Sequence, residues 1–353
     1  MRHPQPTSAE EWPEADRLFR QDPRWLGSDD AYTVDLGGGR ILWLFGDTFI
    51  GDGPASTRRT SAFIRNSIGI QQGQDPTQAQ MSFHWGDDGG APADFVELEG
   101  CWLWPLHGAM IDGSLVLFFM KVRNPSERNT TGSAIEEWMD ADSLSFFEVF
   151  GWAAFIVTNP SADPRDWKIR RAVEGGGGDP DVVLGAGALV EDGWLYLWGW
   201  TQDRDGYLAR CKASEAGAGE LGALEWWTGP GTWAPEPMRD VVALPTAQTE
   251  FTVYRHEPSG LLCQVQALGL SPAELVVRWA TSPEGPWTEM EPFYRIPESE
   301  RDGVIAYAGK FHPELIGSDF IVTYASNGET AEATLDDDSI YYPRFVKARI
   351  DGD

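Results

Sequence analysis

The alternation of apolar and polar side chains predicts a β-hairpin near the start of the chain, over residues 27–51. Residues 31–36 alternate, three glycines follow at 37–39, and an almost continuous apolar run occupies 41–45. Alternation is typical of a half-buried strand, and a continuous run is typical of a strand buried on both faces. Glycine tolerates the positive φ angles of a tight turn. We therefore predict two antiparallel strands that turn at Gly38.

This hairpin places two aspartates in equivalent positions. Asp29 and Asp47 each lie nine positions from Gly38, so a regular antiparallel pair would bring their Cβ atoms about 4.5–5.5 Å apart. Like charges directly opposite each other cost stability, which favours a functional reason for keeping them. Two alternatives are that a bulge shifts the register, or that Asp47 only caps a turn. The functional interpretation is a pair of carboxylates at the end of a rigid hairpin.

The hairpin pattern recurs along the chain. Segments with a short strand, a turn containing glycine and a strongly apolar strand lie near His107, Gly185, Glu250 and Lys310. Weaker strand pairs follow them, at residues 153–171, 207–227, 275–293 and 341–350. With the opening hairpin, this makes five units of about 70 residues, each sufficient for about four strands. We predict an all-β fold, a five-bladed β-propeller with four-stranded antiparallel blades; an open β-sandwich is the alternative.

The unit length also predicts the domain organisation. The units of about 70 residues are longer than common propeller repeats, which have about 40–45 residues. The extra residues must form long loops that project from one face, and the largest candidates are 123–147 and 213–246. Acidic residues early and an arginine late predict a short helix-like stretch from Ser8 to Phe19. We therefore expect residues 1–24 to form an N-terminal flap and residues 25–353 to form one propeller domain.

Composition and charge restrict the class of partner. The formal net charge is −28 and the pI is about 4.4, so nucleic acids and anionic membranes would be repelled. Neutral partners such as carbohydrates remain. Only three cysteines occur, far apart, which argues against a disulfide framework or a CxxC metal site. The glycines at 175–178 lack the remaining features of a phosphate-binding loop. We expect no metal and no cofactor, although a calcium ion among the acids is conceivable.

The N-terminal sequence bears on localisation. It contains no apolar signal-peptide core, and no segment reaches the roughly 18 apolar residues of a membrane helix. As given, the chain is expected to be soluble and cytoplasmic. A secreted protein whose export signal had been removed would have the same sequence features.

Several of the predicted inner strands carry side chains that would converge at one end of a propeller. The candidate catalytic residues are Asp29, Asp47 and Glu250, because glycoside hydrolysis requires one carboxyl group that donates a proton and another that acts as base or nucleophile. Crowding of acids separates their pKa values and so assigns their roles. Candidate substrate-binding residues would hydrogen-bond hydroxyl groups, orient Asp47 or stack on sugar rings; they are Asp30, Asn66, His107, Lys310, His312, Trp25 and Trp104.

Several strings resemble known families. SDDAYTV, WLFGDTFIG, RNSIG, YAGKFHPEL and TYASN resemble domain-of-unknown-function family 4185 and related five-bladed propellers, among them glycoside hydrolase family 183, the endo-D-arabinanases. The resemblance extends in outline from Trp25 to Ile350. It implies that Asp29 and Asp47 are the catalytic carboxylates. The family pattern more often has glycine where this chain has Asp30.

Two functional hypotheses follow. The first is a glycoside hydrolase acting on a polysaccharide or oligosaccharide, with an arabinan-like furanoside favoured. The alternative is a non-catalytic carbohydrate-binding propeller that uses the same acids and indole rings. A phosphorylase is a weaker third option, because it would need a basic cluster for phosphate and the chain offers only Lys310, Arg65 and Arg123.

Overall fold

The structure is a computed structural model and describes residues 3–124 and 147–351. Strand β1 (Gln5–Glu11) comes first. Blade 1 contains β2 (Trp25–Gly37), β3 (Arg40–Ile50), β4 (Ala62–Ile64), β5 (Ser67–Gln72) and β6 (Gln80–His84), and a small separate sheet follows, with β7 (Gly86–Asp88) and β8 (Ala91–Ala93). Blade 2 contains β9 (Trp102–Ile111), β10 (Ser114–Arg123), β11 (Glu148–Val157) and β12 (Ile169–Gly175).

The remaining blades repeat this antiparallel pattern. Blade 3 contains β13 (Val183–Glu191), β14 (Trp194–Trp200), β15 (Gly206–Lys212), β16 (Glu225–Gly229) and β17 (Thr232–Ala234). Blade 4 contains β18 (Thr252–His256), β19 (Leu261–Gly269), β20 (Ala273–Ala280) and β21 (Glu291–Arg295). Blade 5 contains β22 (Val304–Phe311), β23 (Phe320–Gly328), β24 (Arg344–Asp351) and β1. The described helices are α1 (Pro13–Asp16), α2 (Ala213–Ala218) and α3 (Ala331–Asp336), with short 3-10 turns at Arg17–Arg20, Arg58–Thr60, Pro164–Asp166 and Pro297–Glu300.

The first strand of each blade faces the central axis. These inner strands contact one another in turn around a closed ring, from β2 through β9, β13, β18 and β22 back to β2. Apolar side chains fill the spaces between neighbouring sheets, as when Val183 of β13 and Phe118 of β10 enter one buried cluster. The prediction of an all-β, five-bladed propeller is confirmed.

The first and last described strands pair in blade 5, which corrects the expected flap. Strand β1 pairs antiparallel with β24, with Ala9 opposite Ala348. Residues 341–350 supply only the single strand β24, so the fourth strand must come from the N-terminus. Farther along, Phe19 is buried, and its ring stacks on that of Phe345 with centroids 5.2 Å apart. Residues 3–24 are therefore integrated into the propeller, and their helical part is limited to α1 and the following 3-10 turn.

The predicted long loops differ from the structure in one case. Residues 213–246 contain α2 and two strands that extend blade 3, β16 and β17. Most of the other predicted loop, residues 125–146, lies outside the described residues. None of the helices within 3–124 and 147–351 has the length and apolar character needed to cross a bilayer.

The opening hairpin has the predicted register, interrupted by a bulge. Tyr32 pairs with Leu44 and Ser28 with Thr48, which is the register of a turn centred on Gly38. The register shifts between these two pairs, where Asp30 has a φ of 71° and Ala31 a φ of 79°. Such bulges bend a strand and redirect its side chains. As a result, Asp29 and Asp47 are not a regular cross-strand pair.

Candidate active site

A cavity of about 780 Å³ opens at the beginning of the inner strands. It is lined by all three predicted catalytic residues, Asp29, Asp47 and Glu250, and by two of the predicted binding residues, Asp30 and Trp104. The bulge in β2 has a counterpart in β22, where the register shifts between Tyr307 and Lys310 and Ala308 has a φ of 56°. Irregular backbone on two adjacent inner strands thus borders the same cavity.

Asp47 has partners that favour its ionised form. Its Oδ1 accepts a hydrogen bond of 2.7 Å from the indole Nε1–H of Trp104. Its Oδ2 lies 3.4 Å from the guanidinium of Arg65, which stacks over the ring of Trp102 at 4.3 Å. Burial raises the pKa of the Asp47 carboxyl, whereas Arg65 and Trp104 oppose that rise. The carboxylate is held on both oxygens and remains at the cavity wall.

Asp29 has a different set of partners. Its Oδ2 accepts a hydrogen bond of 2.7 Å from the hydroxyl group of Tyr307. Burial raises the pKa of Asp29 well above its usual value, and the negative charges of Asp47 and Glu250 raise it further. The Tyr307 hydrogen bond and the more distant charge of Lys310 oppose these effects. Asp29 is therefore the carboxyl group of the pair that retains its proton more readily.

A second carboxyl pair surrounds a buried cation. The Lys310 ammonium group is fully buried and lies 2.7 Å from Oδ1 of Asp30 and 3.7 Å from Oε1 of Glu250. Burial raises the pKa of Asp30 well above its usual value, Lys310 lowers it, and Glu250 raises it. Lys310 also lies 4.3 Å from the centre of the Tyr32 ring. Lys310 neutralises acids at the cavity floor. Because its side chain is inaccessible, it does not contact substrate, which corrects its predicted role.

Four other predicted binding residues do not line the cavity. Trp25 is buried and stacks on Phe83 at 4.5 Å, so it cannot stack on a sugar. Asn66 is buried and donates to the carbonyls of Val96 and Leu103, each at 3.0 Å, instead of orienting Asp47.

The two histidines predicted to bind substrate, His107 and His312, lie deeper along the propeller axis than the cavity. His107 is hydrogen-bonded to the hydroxyl group of Tyr254 at 2.7 Å, and burial lowers its pKa to about 3. His312 lies between the hydroxyl groups of Thr33, at 2.8 Å, and Thr323, at 2.7 Å. Burial lowers the pKa of His312 well below its usual value. Both rings are buried, so neither is available to a substrate in the cavity.

The position along each inner strand explains these corrections. The cavity lies where inner strands begin, so Trp104 of β9 and Tyr307 of β22 reach it. Residues a few positions farther along the same strands, such as His107 and Lys310, point into the closed channel beneath. Tyr307 was missed by the sequence reasoning although it lies in the string YAGKFHPEL. Residues three apart in a regular strand point to opposite faces, so the spacing from Lys310 gave no signal, and the bulge at Ala308 redirects the strand.

Several acids that line the cavity have nearby side-chain partners of opposite charge. Among the described residues, no group of three or more histidine, cysteine, aspartate or glutamate side chains is arranged to hold a metal ion. The acids at the cavity have cationic or hydrogen-bond partners instead, such as Arg65 for Asp47 and Lys310 for Asp30. The arrangement can therefore supply one protonated and one ionised carboxyl group to the same bound molecule.

Comparison with solved structures finds proteins that resemble this chain. A provisionally assigned hydrolase from Bacteroides ovatus ATCC 8483 is 16% identical, with a TM-score of 0.73 over 96% of this chain and 90% of that chain. An α-L-arabinofuranosidase from Podospora anserina is 11% identical, with a TM-score of 0.48 over 99% and 95% of the two chains. A xylan β-1,4-xylosidase from Bacillus halodurans C-125 is 12% identical, with a TM-score of 0.49 over 93% and 54%.

Sequence comparison assigns the family. No curated protein sequence matches the chain. A family model described as Domain of unknown function (DUF5005) matches residues 14–349. The resemblance to domain-of-unknown-function family 4185 and glycoside hydrolase family 183 stays a prediction. The chain belongs to the DUF5005 family.

Proposed function

We propose that the protein is a glycoside hydrolase in which Asp29 donates a proton and Asp47 acts as the ionised carboxylate. One observation carries the proposal: the two carboxyl groups of one hairpin border the same cavity but have opposite kinds of partner. Asp47 contacts the Arg65 cation, whereas Asp29 accepts a hydrogen bond from the neutral Tyr307 hydroxyl group and faces further acids. Paired carboxyl groups with different environments are the requirement for cleaving a glycosidic bond.

The chemistry follows from these environments. The Asp29 carboxyl group would transfer its proton to the glycosidic oxygen as the bond to the leaving sugar breaks. The Asp47 carboxylate would either accept a proton from the attacking water or attack the anomeric carbon itself. Glu250, at the cavity wall, would add negative charge near the positive centre that develops on the sugar. Trp104 holds Asp47 and presents an indole ring to the cavity.

Among glycans, we propose a furanoside of the arabinan type as substrate. The support is the resemblance of the strings that contain Asp29 and Asp47 to endo-D-arabinanases. The volume of the cavity is compatible with one or a few sugar units, since about 780 Å³ is in the range of ligand pockets, roughly 300–1,000 Å³.

The test is turnover of oligosaccharides by matched variants. Wild-type protein is incubated with arabinan, fructan and mannan oligosaccharides, and released reducing ends are measured. We expect Asp29→Asn and Asp47→Asn each to lose at least about a thousandfold in kcat, with unchanged thermal unfolding. Asp52→Asn, at an exposed position outside the cavity, is the control. An active Asp47→Asn protein would reject the assignment. Binding of an oligosaccharide without any product would instead identify a carbohydrate-binding propeller.

A further inference from the structure

A cation on the cavity wall has no carboxylate partner among the residues that the structure describes. Arg204 lines the cavity from the turn between β14 and β15. Within residues 3–124 and 147–351, no carboxylate oxygen lies within 4.0 Å of its guanidinium group. This holds although Asp203 and Asp205 flank it in the sequence. Most other described arginines are paired with acids or donate to backbone carbonyls, as Arg58 does.

The backbone fixes Arg204 in a conformation that is unusual for a side-chain-bearing residue. Its φ is 65°, in the left-handed region that costs most residues energy. Its N–H donates to the carbonyl of Thr201 at 2.9 Å, and its own carbonyl accepts from the N–H of Ala247 at 2.8 Å. The backbone of residue 204 is thus fixed from both sides. Strained residues held in this way cluster at ligand sites.

The surrounding acids are largely neutralised by other cations. Lys310 lies against Asp30, Arg65 against Asp47, and Arg123 against Glu148, the last at 2.9 Å. Glu250, which lies 3.7 Å from Lys310, also acts on Arg204 by its charge from a distance. Arg204 stays solvent-exposed, with its guanidinium 5.9 Å from the Trp200 ring. A planar guanidinium with free N–H groups binds a carboxylate or another oxyanion through two parallel hydrogen bonds.

We propose that Arg204 recognises an anionic substituent on the glycan, either the carboxylate of a uronic acid or a sulfate ester. The inference rests on the proposal that the cavity binds a glycan, and it defines the substrate class more narrowly. The chain as a whole is strongly acidic, so a charged glycan would be admitted only where a local cation offsets the general repulsion. Arg204 is such a cation.

The test measures binding and does not depend on turnover. D-Glucuronate and D-galactose 6-sulfate are compared with D-glucose and D-galactose as ligands of the full-length protein, by NMR titration. We expect one of the charged sugars to bind about tenfold or more tightly than its neutral counterpart. Arg204→Gln should abolish that preference and Arg204→Lys should retain part of it. Arg123→Gln, which removes an equal charge that Glu148 already neutralises, should keep most of it.

Two results would overturn the inference: equal binding of charged and neutral sugars by the wild-type protein, or a preference that survives Arg204→Gln. Thermal unfolding of each variant confirms that the fold is retained. The outcome is separable from the proposed hydrolysis. A preference that depends on Arg204 without any turnover would remove only the hydrolase, whereas turnover of neutral oligosaccharides without a charge preference would remove only this inference.

Discussion

The hydroxyl group of Tyr307 donates a hydrogen bond of 2.7 Å to Oδ2 of Asp29 and so connects the inner strand of the last blade to the inner strand of the first. Asn327 in turn donates to the Tyr307 oxygen at 3.3 Å. Tyr307 and Asp29 are separated by 278 positions in the chain. The orientation of the proposed proton donor therefore depends on closure of the propeller ring.

Replacing Tyr307 by phenylalanine should weaken the proposed acid without removing it. The hydrogen bond lowers the pKa of Asp29, so its loss should raise that pKa and move the alkaline limb of kcat/KM to higher pH. We also expect kcat to fall by about 10–100-fold, because the carboxylate left after proton transfer loses a charge-assisted hydrogen bond. Tyr294→Phe, on the outer strand β21, is the control. An unchanged alkaline limb would contradict the role of Asp29.

Replacing Gly46 by alanine should disturb the same carboxylate by steric contact. A Cβ atom at this position would overlap Oδ1 of Asp29, so the carboxyl group would have to move. A displacement of about 1 Å at a reacting group costs about a hundredfold in rate. We expect that loss in kcat/KM, measured with the best substrate of the oligosaccharide panel. Gly53→Ala, where a Cβ atom meets open space, is the matched control. Full activity of Gly46→Ala would place the chemistry elsewhere.

Replacing Trp104 by phenylalanine should shift the opposite side of the pH profile. Its indole hydrogen bond lowers the pKa of Asp47. Without it, the carboxylate should become protonated at higher pH, and the acidic limb of kcat/KM should move upward. The matched control is Trp227→Phe on β16, whose buried Nε1 has no hydrogen-bond partner among the described residues. The idea fails if the acidic limb is identical in both variants and the wild type.

Replacing Lys310 by methionine should leave the buried Asp30 carboxylate without its neighbouring cation. An acid whose pKa is raised on folding binds its proton more tightly in the folded state, so the free energy of unfolding falls as pH rises above the usual pKa of aspartate. Removing Lys310 should enlarge this effect. At pH 8 we expect a loss of about 3–5 kcal/mol, and at pH 5 a smaller one, because a protonated Asp30 needs no cation.

Urea unfolding at the two pH values measures this difference. The control is Lys347→Met, which removes a half-exposed lysine paired with Glu10 on the outer edge of blade 5; such surface pairs contribute about 0–1 kcal/mol. Equal destabilisation of Lys310→Met at pH 5 and pH 8 would show that Asp30 is not the group that titrates.

Local sequence determined the strands, the blade count and the carboxylate hairpin. Period-2 alternation and the glycine turn at 37–39 depend only on neighbouring residues, so the register around Gly38 was predictable. The recurrence of that pattern predicted the propeller, since a repeated four-stranded unit closes into a ring. The positions of Asp29 and Asp47 relative to the turn placed both on one hairpin, and both reach the cavity.

Tertiary structure decided how far along each inner strand the cavity extends and what each side chain contacts there. Alternation indicates that His107 and Lys310 point inward, but only the packing of five blades shows that they lie below the cavity floor. The residues of the same strands that line the cavity wall are Trp104 and Tyr307. The pairing of β1 with β24 likewise joins the two ends of the chain. Long-range contacts of this kind leave no periodic signal, because the partners are brought together only when the ring closes.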